Sequence, residues 1–308
     1  MNRSPRQRAT PIGSRTVAYP MSFAGPRSSA AATGSARAYS YTMIEGKEAA
    51  FGILLDIDGV LYVGDEPIEG AHGALRELRE LSGGVRMLTN TTSRSRRKVR
   101  EHLVKLGFDV SLEEVLTPAA MAERYCRERD FGSVTVLVSE GLREDLTALE
   151  GTPLGAHPDA VILGDLGDDF TPEMMNAIFR AMVDGAELVA LQHNRYWRRA
   201  DGLALDVGAY AAALEYATGT EAVTVGKPAR AFFQAAMADM GLKRGVMIGD
   251  DIEADVGGAM AAGLGGILVR TGKYRENALT TRVTPTAIAD SIKGVPSLLA
   301  RILPSSAP

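Results

Sequence analysis

Two aspartates one residue apart, Asp56 and Asp58, directly follow the apolar run Ile53-Leu54-Leu55. A second set of acids, Asp250, Asp251 and Asp255, follows Val246-Met247-Ile248. Thr89 and Asn90 close the run VRMLTN, and Lys227 stands in the tripeptide GKP. Each feature alone is ordinary, because an acid after a strand commonly closes a turn or caps a helix. Together they have chemical content. Five carboxylates converging on one place repel one another strongly unless a cation lies among them. These motifs contain no His or Cys, so an all-oxygen ligand set is available, and that suits a hard ion such as Mg²⁺ better than zinc.

The elements that must position these residues follow from periodicity. FGILLDI reads as a buried strand ending in acids, and GALRELREL as a helix with Leu75, Leu78 and Leu81 on one stripe. VRMLTN reads as a strand and SRRKVREHLVKLGF as a helix closed by Gly107. Later, ARAFFQAAMADMGL reads as a helix, GVMIGDD as a strand and GGILVRTG as another. Short buried strands alternating with helices specify an open parallel sheet covered on both faces. Such a sheet gathers the carboxyl ends of its strands along one rim, which brings Asp56, Asp58, Thr89, Asn90, Lys227, Asp250, Asp251 and Asp255 to one edge. Residues 116–221 carry strands of their own (VTVLVS, AVILGD, ELVALQ) and the helix TPEMMNAIFRAMVDGA, with Thr171 as N-cap and Pro172 in the first turn. They are expected to form an inserted α/β domain, leaving 46–115 and 222–304 as one discontinuous core.

These motifs resemble the haloacid dehalogenase superfamily, and the resemblance runs from about residue 51 to 300. Its motif DxDxx(V/T) is matched by Asp56-Ile57-Asp58-Gly59-Val60-Leu61, its second by Leu88-Thr89-Asn90, its third by Gly226-Lys227-Pro228 and its fourth by Gly249-Asp250-Asp251 with Asp255. The large insert between the second and third motifs places it with the p-nitrophenyl phosphatase-like branch. The resemblance implies a Rossmann-like, doubly wound core with an inserted α/β cap, and a Mg²⁺-dependent phosphatase of the phosphoric monoester hydrolase type. In that scheme Asp56 attacks phosphorus and becomes an aspartyl phosphate. Asp58 protonates the leaving oxygen and then activates water, a role that calls for a carboxyl partly buried among other acids. Asp56, the main-chain carbonyl of Asp58 and Asp250 hold the metal, while Asp251 and Asp255 stand behind them and orient ligands and waters. The Thr89 hydroxyl, the Asn90 main-chain N–H and the Lys227 amine cradle the phosphoryl oxygens. Near members of the branch can carry Asn or Ser where this chain has Asp58; the aspartate favours a working phosphatase over a catalytically weak binding or scaffold protein. Small phosphorylated molecules are the expected substrates, with inorganic pyrophosphate and phosphoramidates among them, and a homodimer through the cap is expected by the same resemblance.

Composition bounds the remainder. A 308-residue chain with 45% hydrophobic and 23% charged residues is ordinary for a globular protein of one large or two linked domains. No apolar stretch is long enough for a membrane span. Residues 1–42 hold six arginines and no acid, so the net charge of −4 leaves −10 on the rest, which offers no footprint for nucleic acid. The segment 1–45 reads as disordered, either an organelle transit peptide or an extension upstream of a start at Met43. The compartment expected is accordingly the cytoplasm, or a mitochondrion or plastid if the segment is a transit peptide. The single Cys126 excludes a disulfide framework and reads as a helix residue. GILVRTGK, Gly266 to Lys273, fails as a phosphate-binding loop because five residues separate its glycines and Tyr274 follows the lysine. In LQHNRYWRRADGL, Arg195, Tyr196, Trp197, Arg198 and Arg199 are expected to pack the cap or carry solvated charge, and His193 to be structural.

Overall fold

The computed structural model describes residues 50–149, 151–199, 202–276 and 282–302. The segment 1–45, with Met43, lies outside the described residues. In chain order the elements that position the site are β1 (Phe51–Asp56), a two-rung hairpin of β2 (Tyr62–Val63) and β3 (Glu66–Pro67), α1 (Ala71–Leu81), β4 (Gly84–Leu88), α2 (Arg96–Lys105), β5 (Val115–Leu116) and α3 (Pro118–Glu128). An inserted unit follows: β6 (Val134–Leu137), β7 (Ala160–Leu163), α4 (Pro172–Val183), β8 (Glu187–Ala190), the hairpin β9 (Tyr196–Arg199) and β10 (Gly202–Leu205), α5 (Val207–Thr218) and β11 (Val223–Thr224). The chain then completes the first sheet with α6 (Arg230–Ala238), β12 (Arg244–Gly249), α7 (Gly258–Ala261), β13 (Gly265–Val269), β14 (Ala287–Ala289) and α8 (Val295–Ile302).

The first sheet is fully parallel, with strand order β14-β13-β12-β1-β4-β5. From β1 the chain steps outward through β4 to β5, then returns to the other side of β1 and steps outward through β12, β13 and β14. The order reverses between β1 and β12, the crevice where doubly wound sheets place ligands. Asp56 lies level with Leu88 of β4 and one step beyond the Leu55–Ile248 pair of β12. Ile53, Leu54 and Leu55 are wholly buried, so β1 is packed on both faces and reads as a continuous apolar run.

Alternation divides these residues between two clusters. Ile53 and Leu55 pack with Val85, Met87, Ile248 and the apolar stripes of α1, α2 and α8. Leu54 and Met247 pack with Phe232 and Phe233 of α6 on the opposite face. That second cluster runs on into Val134, Val136, Ile162 and Val189 of the inserted sheet, so the two sheets share apolar packing. The inserted sheet is also parallel, ordered β11-β8-β7-β6, with α4 and α5 over its far face. Because β11 pairs with β8, this sheet ends at Thr224, past the boundary at 221 expected from sequence. Thr171 caps α4 as its sequence suggests, accepting the Met174 amide at 3.2 Å. Cys126 is buried in the shared cluster, and burial pushes its thiol up to about 11, which keeps it an inert packing group.

Leu54 is the residue of β1 whose truncation tests this packing. Leu54→Ala is expected to cost about 2–5 kcal/mol, seen as a lower urea midpoint with the slope of the transition unchanged.

Candidate active site

At the switch point the side chains of Asp56, Asp250 and Asp255 are all buried, with one carboxylate oxygen from each lying within 4.8 Å of the others. Lys227 reaches into this group from the segment after β11. Its Nζ stands 2.6 Å from Asp56 Oδ1 and 2.6 Å from Asp255 Oδ1, with the Leu88 carbonyl at 3.4 Å. Only 4% of the lysine side chain is exposed. Burial alone would push the amine down, but the Asp255 and Asp56 carboxylates outweigh it and hold the ammonium above the usual lysine range.

One lysine does not neutralise three carboxylates. Burial, then the charge of Asp56, pushes Asp250 up to about 7, although the Lys273 main-chain N–H opposes the shift. Burial and Asp56 likewise push Asp255 up to about 6, with Lys227 opposing. Asp250 Oδ2 accepts that Lys273 N–H at 2.6 Å, whereas Asp250 Oδ1 is buried without a hydrogen-bond partner. A buried, partnerless carboxylate oxygen beside two further carboxylates is what a divalent cation would satisfy, so these residues fit the metal that the sequence implies. The approach to Asp250 depends on two glycines. A Cβ on Gly59 or Gly272 would lie 2.0 or 1.9 Å from Asp250 Oδ2, and both residues have positive φ, 86° and 57°.

The remaining expected residues divide. Thr89 is buried and its oxygen accepts the Thr91 amide at 3.1 Å, which leaves the hydroxyl hydrogen to donate. Asn90 does something that its place in the sequence did not reveal: its side chain clasps the Lys227 peptide, donating to the Lys227 carbonyl and accepting the Lys227 N–H, each at 2.7 Å. Asp251 caps a π-helical turn, Ile252–Gly257, accepting the amides of Glu253 at 3.1 Å and Ala254 at 3.0 Å. In that turn the Val256 N–H reaches back five residues to the Asp251 carbonyl, and Asp255 Oδ2 accepts the Asp251 N–H at 3.1 Å. The turn thus folds Asp255 under the rim. Asp58 is the correction: expected to be partly buried among acids, it is exposed. It lies past the end of β1, where the chain turns into the β2–β3 hairpin and the Gly59 N–H bonds to the Tyr62 carbonyl. Its neighbour is the Tyr62 phenol, which burial and a hydrogen bond to Asp58 push above the usual tyrosine range.

Sequence reasoning missed the loop after β13. Lys273 and Gly272, set aside with the failed phosphate-loop match, pack on Asp250; the available signal was a TGK turn at the carboxyl end of the strand beside β12. On the inserted hairpin Tyr196 and Trp197 are 58% and 41% exposed, so they do not pack its interior, and His193 faces Glu215 at 3.4 Å. The side chains of Arg198 and Arg199 lie outside the described residues.

A buried aspartate and lysine at the switch point of a parallel sheet, with a second α/β unit inserted between them in sequence, define a capped, doubly wound α/β protein with its site at the crevice. Residues 53–151 match the haloacid dehalogenase-like hydrolase family, and residues 224–295 match the HAD-hydrolase-like family. The chain is 40% identical over 231 residues to haloacid dehalogenase-like hydrolase domain-containing protein 2 of Bos taurus, covering 74% of this chain and 87% of that protein. It is 39% identical over 232 residues to phospholysine phosphohistidine inorganic pyrophosphate phosphatase of Rattus norvegicus, covering 73% and 84%. Among solved structures it resembles p-nitrophenyl phosphatase from Archaeoglobus fulgidus (TM-score 0.75, 28% identity, 82% of this chain and 100% of that one). It also resembles a glycerol phosphate phosphatase from Mycobacterium tuberculosis in complex with magnesium (TM-score 0.70, 30% identity, 80% and 76%). The chain belongs to the haloacid dehalogenase-like hydrolase family.

Two outcomes follow from this geometry. Asn90→Ala frees the Lys227 peptide and is expected to lower kcat/KM by about 10–100-fold, measured on an aryl phosphate alongside the thermal midpoint. The second concerns pH. The folded state holds Asp250 and Asp255 at raised pKa values, so it binds more protons than the unfolded chain between about pH 4 and 7, and ionising them costs the metal-free fold stability as pH rises. A divalent cation removes that cost only where the carboxyls are ionised. The rise in melting temperature on adding Mg²⁺ should therefore be larger at about pH 8 than at about pH 5.5.

Proposed function

We propose that this protein is a Mg²⁺-dependent phosphatase acting on small phosphorylated molecules through an aspartyl-phosphate intermediate on Asp56. The observation that carries the reading is Asp56 itself: buried at the switch point, with Oδ1 2.6 Å from Lys227 Nζ and the partnerless Asp250 Oδ1 in the same cluster. Mg²⁺, held by Asp56, Asp250 and the Asp58 carbonyl, would supply positive charge against the phosphoryl oxygens and so let an anionic nucleophile approach an anionic phosphate.

The chain's own groups do the rest. Asp56 attacks phosphorus in line and takes the phosphoryl group, which splits hydrolysis into two easier steps. Lys227 Nζ donates to Asp56 Oδ1 and forms an ion pair with Asp255 Oδ1, each at 2.6 Å. The weak 3.4 Å contact to the Leu88 carbonyl is the one a phosphoryl oxygen would displace. The Thr89 hydroxyl and Asn90 main-chain N–H complete the cradle, while the Asn90 side chain keeps the Lys227 peptide in place. Asp58, on the open side of the site, would give its proton to the leaving oxygen and then take one from the water that cleaves the intermediate. Asp251 and Asp255 act behind the rim, as cap and as counter-ion of Lys227.

The phosphatase names of the relatives support this reaction class, and the rat relative's name brings pyrophosphate and phosphoramidates into the substrate set. A dimer through the cap is supported by the apolar side chains of Tyr196, Leu203 and Leu205, each more than half exposed on the β9–β10 hairpin. The nucleophile is tested by Asp56→Asn, which should reduce p-nitrophenyl phosphate turnover by at least about a thousandfold; wild-type turnover in that variant would remove Asp56 from the mechanism.

A further inference from the structure

Lys227 shares the rim with a second amine of different character. Lys273 lies in the loop after β13, directly after Gly272, and its main-chain N–H is spent on Asp250 Oδ2 at 2.6 Å. Its side chain is free of that task. Nζ lies 3.9 Å from Asp251 Oδ2, and 66% of the side chain is exposed against 4% for Lys227. An ion pair that long and that open is worth little, so an anionic ligand can take its place.

The loop's position says which part of a substrate it meets. A Cβ on Gly272 would come within 2.5 Å of the Gly59 Cα, and the Thr271 hydroxyl donates to the Gly59 carbonyl. The loop that carries Lys273 is therefore stitched to the loop that carries Asp58. Asp58 and Lys273 are both exposed, whereas Lys227 is buried. With Asp58 as the proton donor at the leaving oxygen, the Thr271–Gly59 hydrogen bond sets the Lys273 loop beside that group.

We propose that Lys273 is a specificity-determining residue that receives a second anionic group on the leaving side of the substrate. The substrate class is a phosphorylated molecule whose leaving group is itself anionic, with inorganic pyrophosphate as its simplest member. This rests on Asp56 and Asp58 acting as described above. With pyrophosphate, Asp56 forms the new bond to phosphorus and the bridging P–O bond breaks, its electron pair going to the departing phosphate, which takes the Asp58 proton. Water then cleaves the aspartyl phosphate and returns a proton to Asp58, so one pyrophosphate and one water give two phosphates. A compact, flexible point charge suits a departing group that must be released afterwards.

The test compares kcat/KM for pyrophosphate and for p-nitrophenyl phosphate in the wild type, Lys273→Met and Lys273→Arg. Lys273→Met keeps the main-chain N–H and most of the stem. It should lower the pyrophosphate to p-nitrophenyl phosphate ratio by about tenfold or more, chiefly through KM, and Lys273→Arg should recover most of it. A ratio unchanged within about twofold overturns the proposal, and so does a wild type that does not hydrolyse pyrophosphate. Either failure leaves the phosphatase reading standing as long as p-nitrophenyl phosphate turnover still depends on Asp56; loss of that dependence would sink both.

Discussion

The site is organised around one buried ammonium. Lys227 lies between Asp56 and Asp255 at 2.6 Å from each, with almost no contact with solvent. Removing the lysine from such a group would strand two carboxylates in a place where charge is costly, and removing either acid would strand part of the ammonium. The arrangement holds because the charges are supplied by three segments far apart in the chain, and the sheet brings their ends together. Asp56 comes from the end of β1. Asp255 is folded back by the π-helical turn after β12, and Lys227 arrives from the end of the inserted unit.

The lysine settles only part of the electrostatics. Asp250 joins the same cluster with one oxygen held by the Lys273 N–H and the other without a partner. Its raised pKa and that of Asp255 express the same excess of negative charge. The protein keeps this excess by building a tight backbone cradle around Asp250, where Gly59 and Gly272 give way to the carboxylate. A fold with no use for a cation would have little reason to press two left-handed glycines against a carboxylate that it leaves half-satisfied. The cradle also joins the Asp58 loop to the Lys273 loop, through the Thr271 hydroxyl on the Gly59 carbonyl.

Much of this was legible in the residues. DID after ILL, TN after VRML, GKP before a helix and GDD after VMI are strand ends read by polarity, and a parallel sheet has no choice but to gather its carboxyl ends. Strand order was not legible, because pairing between β1 and β12 depends on contacts across nearly two hundred residues. The exposure of Asp58 was hidden for a local reason: counting acids predicts crowding, but the tight turn at Gly59 carries Asp58 out of the group that Asp56 enters. The side-chain role of Asn90 was not legible, since it needs Lys227 beside it. Lys273 stands in a segment whose spacing fits no phosphate-binding loop, and that spacing says nothing of its place at the rim. What mattered was the strand it follows.

The Asn90 clasp also resolves a difficulty raised by the topology. Lys227 follows β11 by only two intervening residues, and the Val225 N–H still donates to the carbonyl of Ala190, the last residue of β8 in the inserted sheet. A lysine so close to the insert would take its main-chain position from the insert, while the carboxylates it must meet belong to the first sheet. Two hydrogen bonds of 2.7 Å from Asn90, two residues past the end of β4, transfer control of that peptide to the first sheet. The side chain then starts from the same frame as Asp56, whose strand pairs with β4 up to Leu88. An inserted unit can vary in sequence, or shift against the first sheet, without carrying the ammonium away from the carboxylate it serves.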